Sequence, residues 1–212
     1  MNDGSATTYY QNRWREEQKA NAWAMHRAAR ILSELSALGV TNPRVLDLGC
    51  GSGWMTEILS QFGSAEGVDL APEPASQFHP HLTFHPVSGV PPGTFDVVVS
   101  QEVIEHVDDQ ASYVATAYDA LRGGGYLILT TPNAAVSLRH PEFLIQPTEK
   151  HLTRSELRTL LARRFEVRTI YSFFYGYARW KPYRMQMRFG RLLNAGLHLM
   201  AVCRRAELGI DG

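Results

Sequence analysis

The chain has 212 residues, of which 44% are hydrophobic and 20% charged, and this composition is typical of a folded globular protein rather than a disordered one. No apolar run reaches the length of about eighteen residues that a membrane-spanning helix needs. The polar first residues lack the pattern of a secretion signal, and the two cysteines lack metal-ligand spacing. We therefore expect a single domain over residues 1–212 in the reducing environment of the cytoplasm.

The N-terminal part of the chain predicts a helix over residues 8–38, which Gly39 is placed to end. Its expected buried face is an apolar stripe made of Trp14, Ala22, Met25, Ala29, Leu32 and Leu35. We interpret residues 1–43 as a helical cap on the rest of the domain.

Beyond this cap, short β-branched runs alternate with helical patterns. Strands are predicted at 44–48, 65–69, 82–87, 95–100, 125–131, 165–173 and 197–204. Helices are predicted at 54–62, 109–121 and 154–163, with a helical stub at most over 72–80 and a loop over 88–93. This alternation predicts a mostly parallel α/β sheet with helices on both faces. We divide the chain into a cofactor-binding core (44–177), an inserted helical lid (178–196) and a last strand (197–206), which would return as an antiparallel hairpin.

A glycine-rich turn comes after the first predicted strand. Gly49, Gly51 and Gly53 lie between Leu48 and the helix that begins at residue 54. Glycines let a ligand approach the backbone closely, and the helix N-terminus offers free N–H groups, so the turn suits a nucleotide-like ligand. The spacing is Gly-x-Gly-x-Gly, which differs from the Gly-x-Gly-x-x-Gly of dinucleotide binders. The carboxylate of Asp47 would repel a pyrophosphate but attract the cationic amino group of a methionine moiety.

Asp69 ends the second predicted strand, at a place where an acid can accept hydrogen bonds from both hydroxyls of a ribose. Enzymes that bind NAD use the same device, so this residue alone indicates an adenosyl ligand without identifying the cofactor. The turn favours a sulfonium cofactor.

Four segments together resemble successive motifs of class I S-adenosylmethionine-dependent methyltransferases: residues 47–53, 67–69, 95–98 and 123–127. The resemblance implies a Rossmann-like, seven-stranded, mostly parallel sheet with an antiparallel last strand. It also implies S-adenosyl-L-methionine as cofactor and S-adenosyl-L-homocysteine as product. Adenine recognition would fall to Ser88 or to backbone groups, because Val87-Ser88-Gly89 replaces the acid that many members carry there. The implied cofactor-binding residues are Asp47, Gly49, Cys50, Gly51, Gly53, Asp69, Leu70, Ser88 and Gln101.

The segment after the fourth predicted strand, Gln101-Glu102-Val103-Ile104-Glu105-His106, resembles that of ubiquinone-type O-methyltransferases and of small-RNA 2′-O-methyltransferases. If it is helical, Glu102, Glu105 and His106 share one face. In those relatives such a group can hold a divalent metal, to which the RNA enzymes add a second histidine, here His151 or else His140. This set would suit Mg²⁺ or Zn²⁺. Two alternatives remain open: His106, with Glu102, acts as a metal-free general base, or the group is merely polar surface.

The same segment also indicates the class of acceptor. An Asn/Asp-Pro-Pro-aromatic element, frequent in amino-methylating enzymes, is replaced by Ser100-Gln101-Glu102, so oxygen is favoured over nitrogen. We expect methyl transfer to a hydroxyl of a small molecule. The alternatives are 2′-O-methylation of RNA, disfavoured because no separate RNA-binding module is recognised, a non-catalytic cofactor-binding protein, and, more remotely, a nicotinamide oxidoreductase.

Charge is distributed unevenly along the chain, although the formal net charge is zero. Residues 1–166 carry 19 acidic and 13 basic side chains, whereas residues 167–206 carry eight basic and no acidic ones. Aromatic residues are interleaved with these arginines and lysines. Four interpretations of this basic segment stay open: it binds an anionic or isoprenoid acceptor, contacts an anionic membrane surface, stacks on RNA, or forms a lid with solvated arginines.

Overall fold

The computed structural model describes residues 3–16, 22–139, 149–173 and 194–207, the side chains from residue 7 onward. Within these residues, seven strands form one sheet in the order β3-β2-β1-β4-β5-β7-β6. The strands are β1 (Arg44–Leu48), β2 (Ser64–Asp69), β3 (Thr83–Pro86), β4 (Phe95–Gln101), β5 (Leu121–Pro132), β6 (Glu166–Phe173) and β7 (His198–Arg204).

The helices of the described residues are α1 (Asp3–Glu16), α2 (Ala22–Ala37), α3 (Trp54–Leu59), α4 (Glu73–Phe78), α5 (Gln110–Ala120), α6 (Ala134–Ser137) and α7 (Arg154–Leu161). Two 3₁₀ turns, Val87–Gly89 and Ile104–His106, come after β3 and β4. The helix predicted over 8–38 is described as α1 and α2, on either side of residues 17–21, which lie outside the described part. In the parts of the chain that are described, no helix combines the length and apolarity needed to cross a membrane.

The sheet confirms the predicted fold class. Strands β1 to β5 run parallel, and β7 lies antiparallel between β5 and β6. The strand order reverses between β1 and β4, because the chain builds outward through β2 and β3 before it returns to β4. The carboxyl ends of strands at such a reversal form a crevice in which open α/β sheets bind their ligands.

Helices cover both faces of the sheet. Leu46 and Leu48 of β1 point to a core that they share with α5 and α7. The alternate residue Val45 points to the opposite core, which includes buried residues of α2 and α3. Burial on both faces explains the continuous apolar runs of the central strands.

The buried face of α2 differs from the predicted stripe. The buried apolar residues are Ala24, Ala28, Ile31 and Leu35, whereas Met25 is 47% exposed. Alanines lie on every side of this helix, so apolar periodicity alone does not select one face. The buried face of α2 also includes the charged residue Arg30, whose side chain is fully buried.

Candidate active site

The glycine turn joins β1 to α3 at the carboxyl edge of the sheet. The backbone N–H groups of Gly49 and Cys50 donate to the carbonyl oxygen of Val68 at 2.7 and 2.9 Å. Gly49, Gly51 and Gly53 all have positive φ, a left-handed backbone that strains other residues. A Cβ at Gly49 would also overlap the side chain of Val103, so this glycine lets the segment after β4 lie against the turn.

Asp47 lies beneath this turn. Its side chain is buried, and the hydroxyl of Thr56 in α3 donates to Oδ2 at 2.7 Å. Burial raises the pKa of Asp47 to about 7, against the opposing hydrogen bond from Thr56. A carboxyl group with this pKa is poised to become anionic when a cationic ligand group approaches.

Asp69 closes the other side of the turn. Its Oδ2 accepts the N–H of Gly51 and its Oδ1 accepts the N–H of Ala71, both at 3.0 Å. Burial raises the pKa of Asp69, while these two N–H groups act in the opposite direction. The two bonds fix the orientation of the carboxylate, and a carboxylate can accept further hydrogen bonds from a ligand hydroxyl.

Helix α1 covers the same turn. A Cβ built on Gly51 would lie 3.2 Å from the indole ring of Trp14. Tyr10 stacks on Trp14 with ring centroids 6.0 Å apart, and Arg13 lies 5.0 Å above the indole ring. The N-terminal cap therefore lies directly on the predicted cofactor site.

Exposed apolar side chains flank the neighbouring part of this edge. Leu70, after β2, is 49% exposed, and Val87, after β3, is 40% exposed. Ser88 lies beside Val87 in the 3₁₀ turn and is also exposed. An aromatic base could pack against such side chains, and adenine recognition at this place stays a prediction.

The buried polar atoms without a hydrogen-bond partner among the described residues include Oγ of Ser52 in the turn and Oε1 of Gln101 at the end of β4. Buried polar groups in folded proteins are nearly always paired, so these atoms are suited to a polar ligand. Together with the glycine turn and Asp69, they fit an adenosyl and amino-acid ligand. Cys50 is buried in the turn, where burial raises the pKa of its thiol.

Glu102 comes directly after Gln101 in a strained conformation, with φ of 55°, and its N–H donates to the carbonyl oxygen of Thr130 at 3.0 Å. Its Oε2 lies 2.8 Å from Nδ1 of His198, the first residue of β7. Burial alone would raise the pKa of Glu102, but His198 and Arg27 together hold that pKa below its usual range.

Glu105 and His106 lie in the 3₁₀ turn beyond Glu102. The hydroxyl of Thr131 donates to Glu105 at 2.9 Å, and burial together with the nearby Glu102 carboxylate raises the pKa of Glu105. Nε2 of His106 lies 3.8 Å from Glu105, and its Nδ1 lies 3.8 Å from Glu149. Burial lowers the pKa of His106, which favours the neutral imidazole that a general base requires.

His151 is engaged elsewhere. Its Nε2 lies 2.7 Å from Glu149, and its Nδ1 lies 2.7 Å from the hydroxyl of Ser137. The other candidate, His140, falls outside the described residues.

The predicted metal site is not supported by this arrangement. In the described residues, no group of three or more His, Cys, Asp or Glu side chains is disposed to hold a metal ion. The one-face prediction assumed a helix from Glu102 onward. The helical turn instead begins at Ile104, and the left-handed backbone at Glu102 directs its carboxylate to His198, while Glu105 faces Thr131.

Sequence reasoning missed His198. It was assigned only to the last strand, and the only signal was a polar residue opening an otherwise apolar strand. Residues 178–193 of the predicted helical lid and most of the basic segment lie outside the described residues.

Comparison with known proteins agrees with this geometry. Residues 14–174 match the model of a methyltransferase domain family. The ubiquinone biosynthesis O-methyltransferase of Pseudomonas aeruginosa is 32% identical over 108 residues, which cover 45% of this chain and 47% of the relative. The enzyme of the same name from Colwellia psychrerythraea is 29% identical over 126 residues, covering 53% and 51%. The chain thus spans about half the length of these curated relatives.

Solved structures share the fold at low sequence identity. The N-methyltransferase NodS from Bradyrhizobium japonicum, solved with S-adenosyl-L-homocysteine, has a TM-score of 0.66 at 16% identity, covering 93% of this chain and 99% of that one. A SAM-dependent methyltransferase from Archaeoglobus fulgidus has a TM-score of 0.65 at 18% identity, covering 85% and 94%. On the match over most of its length, and with this sheet order and glycine turn, the chain belongs to the methyltransferase domain family and is a class I S-adenosylmethionine-dependent methyltransferase by fold.

Proposed function

We propose that this protein transfers the methyl group of S-adenosylmethionine to a hydroxyl oxygen of a small molecule. The observation that carries the proposal is the juxtaposition, at one edge of the sheet, of the glycine turn, the fixed carboxylate of Asp69 and the polar segment after β4. The turn and Asp69 would hold the cofactor. The segment from Glu102 to His106 would act on the acceptor.

Each group of predicted cofactor residues would contact a different part of the ligand. Asp47 and the turn would meet the methionine end, Asp69 the ribose, and Leu70 with Ser88 the adenine, while Gln101 lies at the rim toward the acceptor. When bound, S-adenosylmethionine supplies a methyl group already activated by a sulfonium. The protein's own contribution is then to position the acceptor in line and to receive the proton that it loses.

Two observations favour oxygen as the acceptor atom. The segment after β4 carries carboxylate and imidazole groups, which can remove a proton from a hydroxyl. The curated relatives that cover about half of this chain are named O-methyltransferases. The likeness to an N-methyltransferase at 16% identity concerns the fold alone.

A transfer assay with isotopically labelled S-adenosylmethionine tests the proposal. The acceptors are phenol, catechol, aliphatic alcohols, primary amines and an RNA duplex, and mass spectrometry locates the methyl group. We expect O-methylated product from a hydroxyl compound of low molecular mass. Exclusive methylation of amines, or of RNA, would replace the proposed acceptor class. Tight cofactor binding without transfer to any acceptor, unaffected by substitution of Glu102 or His106, would favour a non-catalytic binding protein.

A further inference from the structure

Glu102 and His198 form a buried pair at the carboxyl edge of the sheet. Their side chains are 15% and 13% exposed, and Oε2 of Glu102 lies 2.8 Å from Nδ1 of His198. Because β7 is antiparallel, it begins at the edge where the parallel strands end, and His198 is in register with Pro132 of β5 and Phe173 of β6. The pair therefore lies beside the end of β4, on the side away from the cofactor turn.

The backbone holds both members of the pair in place. Glu102 keeps its left-handed conformation through the bond from its N–H to Thr130, which fixes the direction of its carboxylate. The start of β7 is held by Asn133, which donates to the carbonyl oxygen of Gly196 at 2.8 Å. A Cβ at Gly196 would overlap the backbone of Phe173, so only glycine allows this close approach. Backbone strain, as at Glu102, is concentrated at functional sites in proteins. The close backbone contact between Gly196 and Phe173 lies at the same edge of the sheet.

A carboxylate at Nδ1 orients an imidazole and fixes its tautomer, so that Nε2 is the nitrogen able to accept a proton. His198 has this arrangement with Glu102. His106 lacks it, because the carboxylate oxygens that pair with its ring nitrogens are 3.8 Å away. Of the two histidines near the end of β4, His198 is therefore the one preorganised as a base.

We infer that His198 is the general base for the acceptor hydroxyl and that Glu102 is its positioning residue, an assignment that rests on the proposed function. Nε2 of His198 takes the hydroxyl proton. The acceptor oxygen forms its bond to the methyl carbon with its own electron pair, and the carbon–sulfur bond breaks with its electrons remaining on sulfur. The imidazolium is stabilised by the Glu102 carboxylate until it loses the proton to water.

Helix α2 supplies charged groups that face this pair, and Glu105 and His106 of the turn after β4 also interact with Glu102. Arg27 acts on Glu102, and His26 lies close enough to His198, Arg27 and Arg30 for their charges, after burial, to lower its pKa. Because several groups here titrate or carry charge, a change in a pH profile must be assigned with variants of the individual residues.

The kinetic test compares His198→Asn, Glu102→Gln and His106→Asn, with His81→Gln as the matched control. His81 is an exposed histidine that pairs with Glu57 of α3 rather than with Glu102 or His198. With catechol as probe acceptor, His198→Asn is expected to lower kcat by about 10² to 10⁴-fold and to abolish the acidic limb of the kcat profile. Glu102→Gln should lower kcat in the same direction. Affinity for S-adenosylhomocysteine should change by less than about threefold, which is under 1 kcal/mol.

A spectroscopic test does not depend on turnover. In ¹⁵N-labelled protein with bound S-adenosylhomocysteine, the imidazole signal that disappears in His198→Asn should report a protonated Nδ1 and an unprotonated Nε2 near pH 8. Glu102→Gln should weaken this tautomer preference, and His81→Gln should leave it unchanged.

The results separate this inference from the proposed function. If the protein methylates a hydroxyl but His106→Asn rather than His198→Asn removes the acidic limb, or if Nε2 of His198 carries the proton near pH 8, the inference is overturned while O-methyl transfer stands. If no hydroxyl compound is methylated but the expected tautomer is present, the pair is upheld and the acceptor class is revised.

Discussion

Two carboxylates lie next to the glycine turn, and their surroundings suit them to different tasks. Asp69 accepts two backbone N–H groups, which fix its orientation. Asp47 is buried with one hydrogen bond, from Thr56, and its pKa is raised to about 7. Asp69 is thus oriented to accept hydrogen bonds from hydroxyl groups. Ionisation of the buried Asp47 is unfavourable, and a cationic ligand group nearby would make it more favourable.

The raised pKa of Asp47 predicts a specific pH dependence of stability. Between its pKa of about 3.9 in the unfolded chain and about 7 in the folded one, the unfolded chain loses the proton while the folded chain keeps it. The free energy of unfolding therefore falls as pH rises through this window, by roughly 2 to 3 kcal/mol between pH 5 and pH 7. Asp47→Asn removes this contribution, so urea unfolding of the variant without cofactor should lose less stability over the same range. Identical pH dependence in both proteins would refute the assignment.

At the residue level, the sequence predicted the local geometry of the glycine turn better than that of the segment after β4. Gly49 to Gly53 and Asp69 lie within or beside one local strand–turn–helix unit, so their geometry is set by their spacing. The partner of Glu102 lies on β7, far along the chain, and is brought to β4 only by the order of the sheet. A pairing that depends on tertiary structure leaves no local pattern.

Among the elements, α1 has a direct relation to the cofactor site. The indole of Trp14 covers Gly51, and Tyr10 stacks on that indole. A ligand that contacts the turn must therefore contact or displace this ring. The sequence predicted a helical cap over residues 1–43, and the register of α1 determines which of its aromatic side chains reaches the turn.

Cofactor binding should consequently change the fluorescence of Trp14. We expect S-adenosylhomocysteine to shift or quench tryptophan emission, and Trp14→Phe to remove most of that change. Trp23, which is 45% exposed on α2, provides the matched control as Trp23→Phe. Retention of the full signal in Trp14→Phe, together with its loss in Trp23→Phe, would show that α1 does not cover the cofactor.

The segment after β4 also shows the limit of prediction for short elements. Spacing at i, i+3 and i+4 places side chains on one face only where the backbone is helical throughout. Here the helix is a single 3₁₀ turn that begins after Glu102. The predicted metal ligands Glu102 and Glu105 therefore point in different directions, toward His198 and Thr131. A φ of 55° at a glutamate is a tertiary effect, held by the contact with β5.

For the whole molecule, the sheet order explains why residues from distant parts of the chain meet at one edge. The reversal between β1 and β4 opens the crevice, β2 and β3 extend it toward the predicted adenine side, and β5 and β7 extend it toward the proposed acceptor side. The alternation of continuous apolar strand segments with helical segments was sufficient to predict this architecture, because a parallel sheet covered by helices on both faces requires that order. We therefore expect this crevice to hold S-adenosylmethionine rather than a nicotinamide dinucleotide.

Calorimetry with S-adenosylhomocysteine and with NADH tests that claim most directly, using Gly49→Ala and Gly93→Ala as a matched pair. Both glycines have positive φ, but a Cβ at Gly49 meets Val103, whereas a Cβ at Gly93 meets nothing within 4 Å. Both variants should therefore share a backbone cost of about 1 to 2 kcal/mol, and only Gly49→Ala should distort the turn. We predict that S-adenosylhomocysteine binds the wild type and folded Gly93→Ala, binds Gly49→Ala weakly, and that NADH binds none of them. Tight binding of NADH, with no response to S-adenosylhomocysteine, would contradict the account.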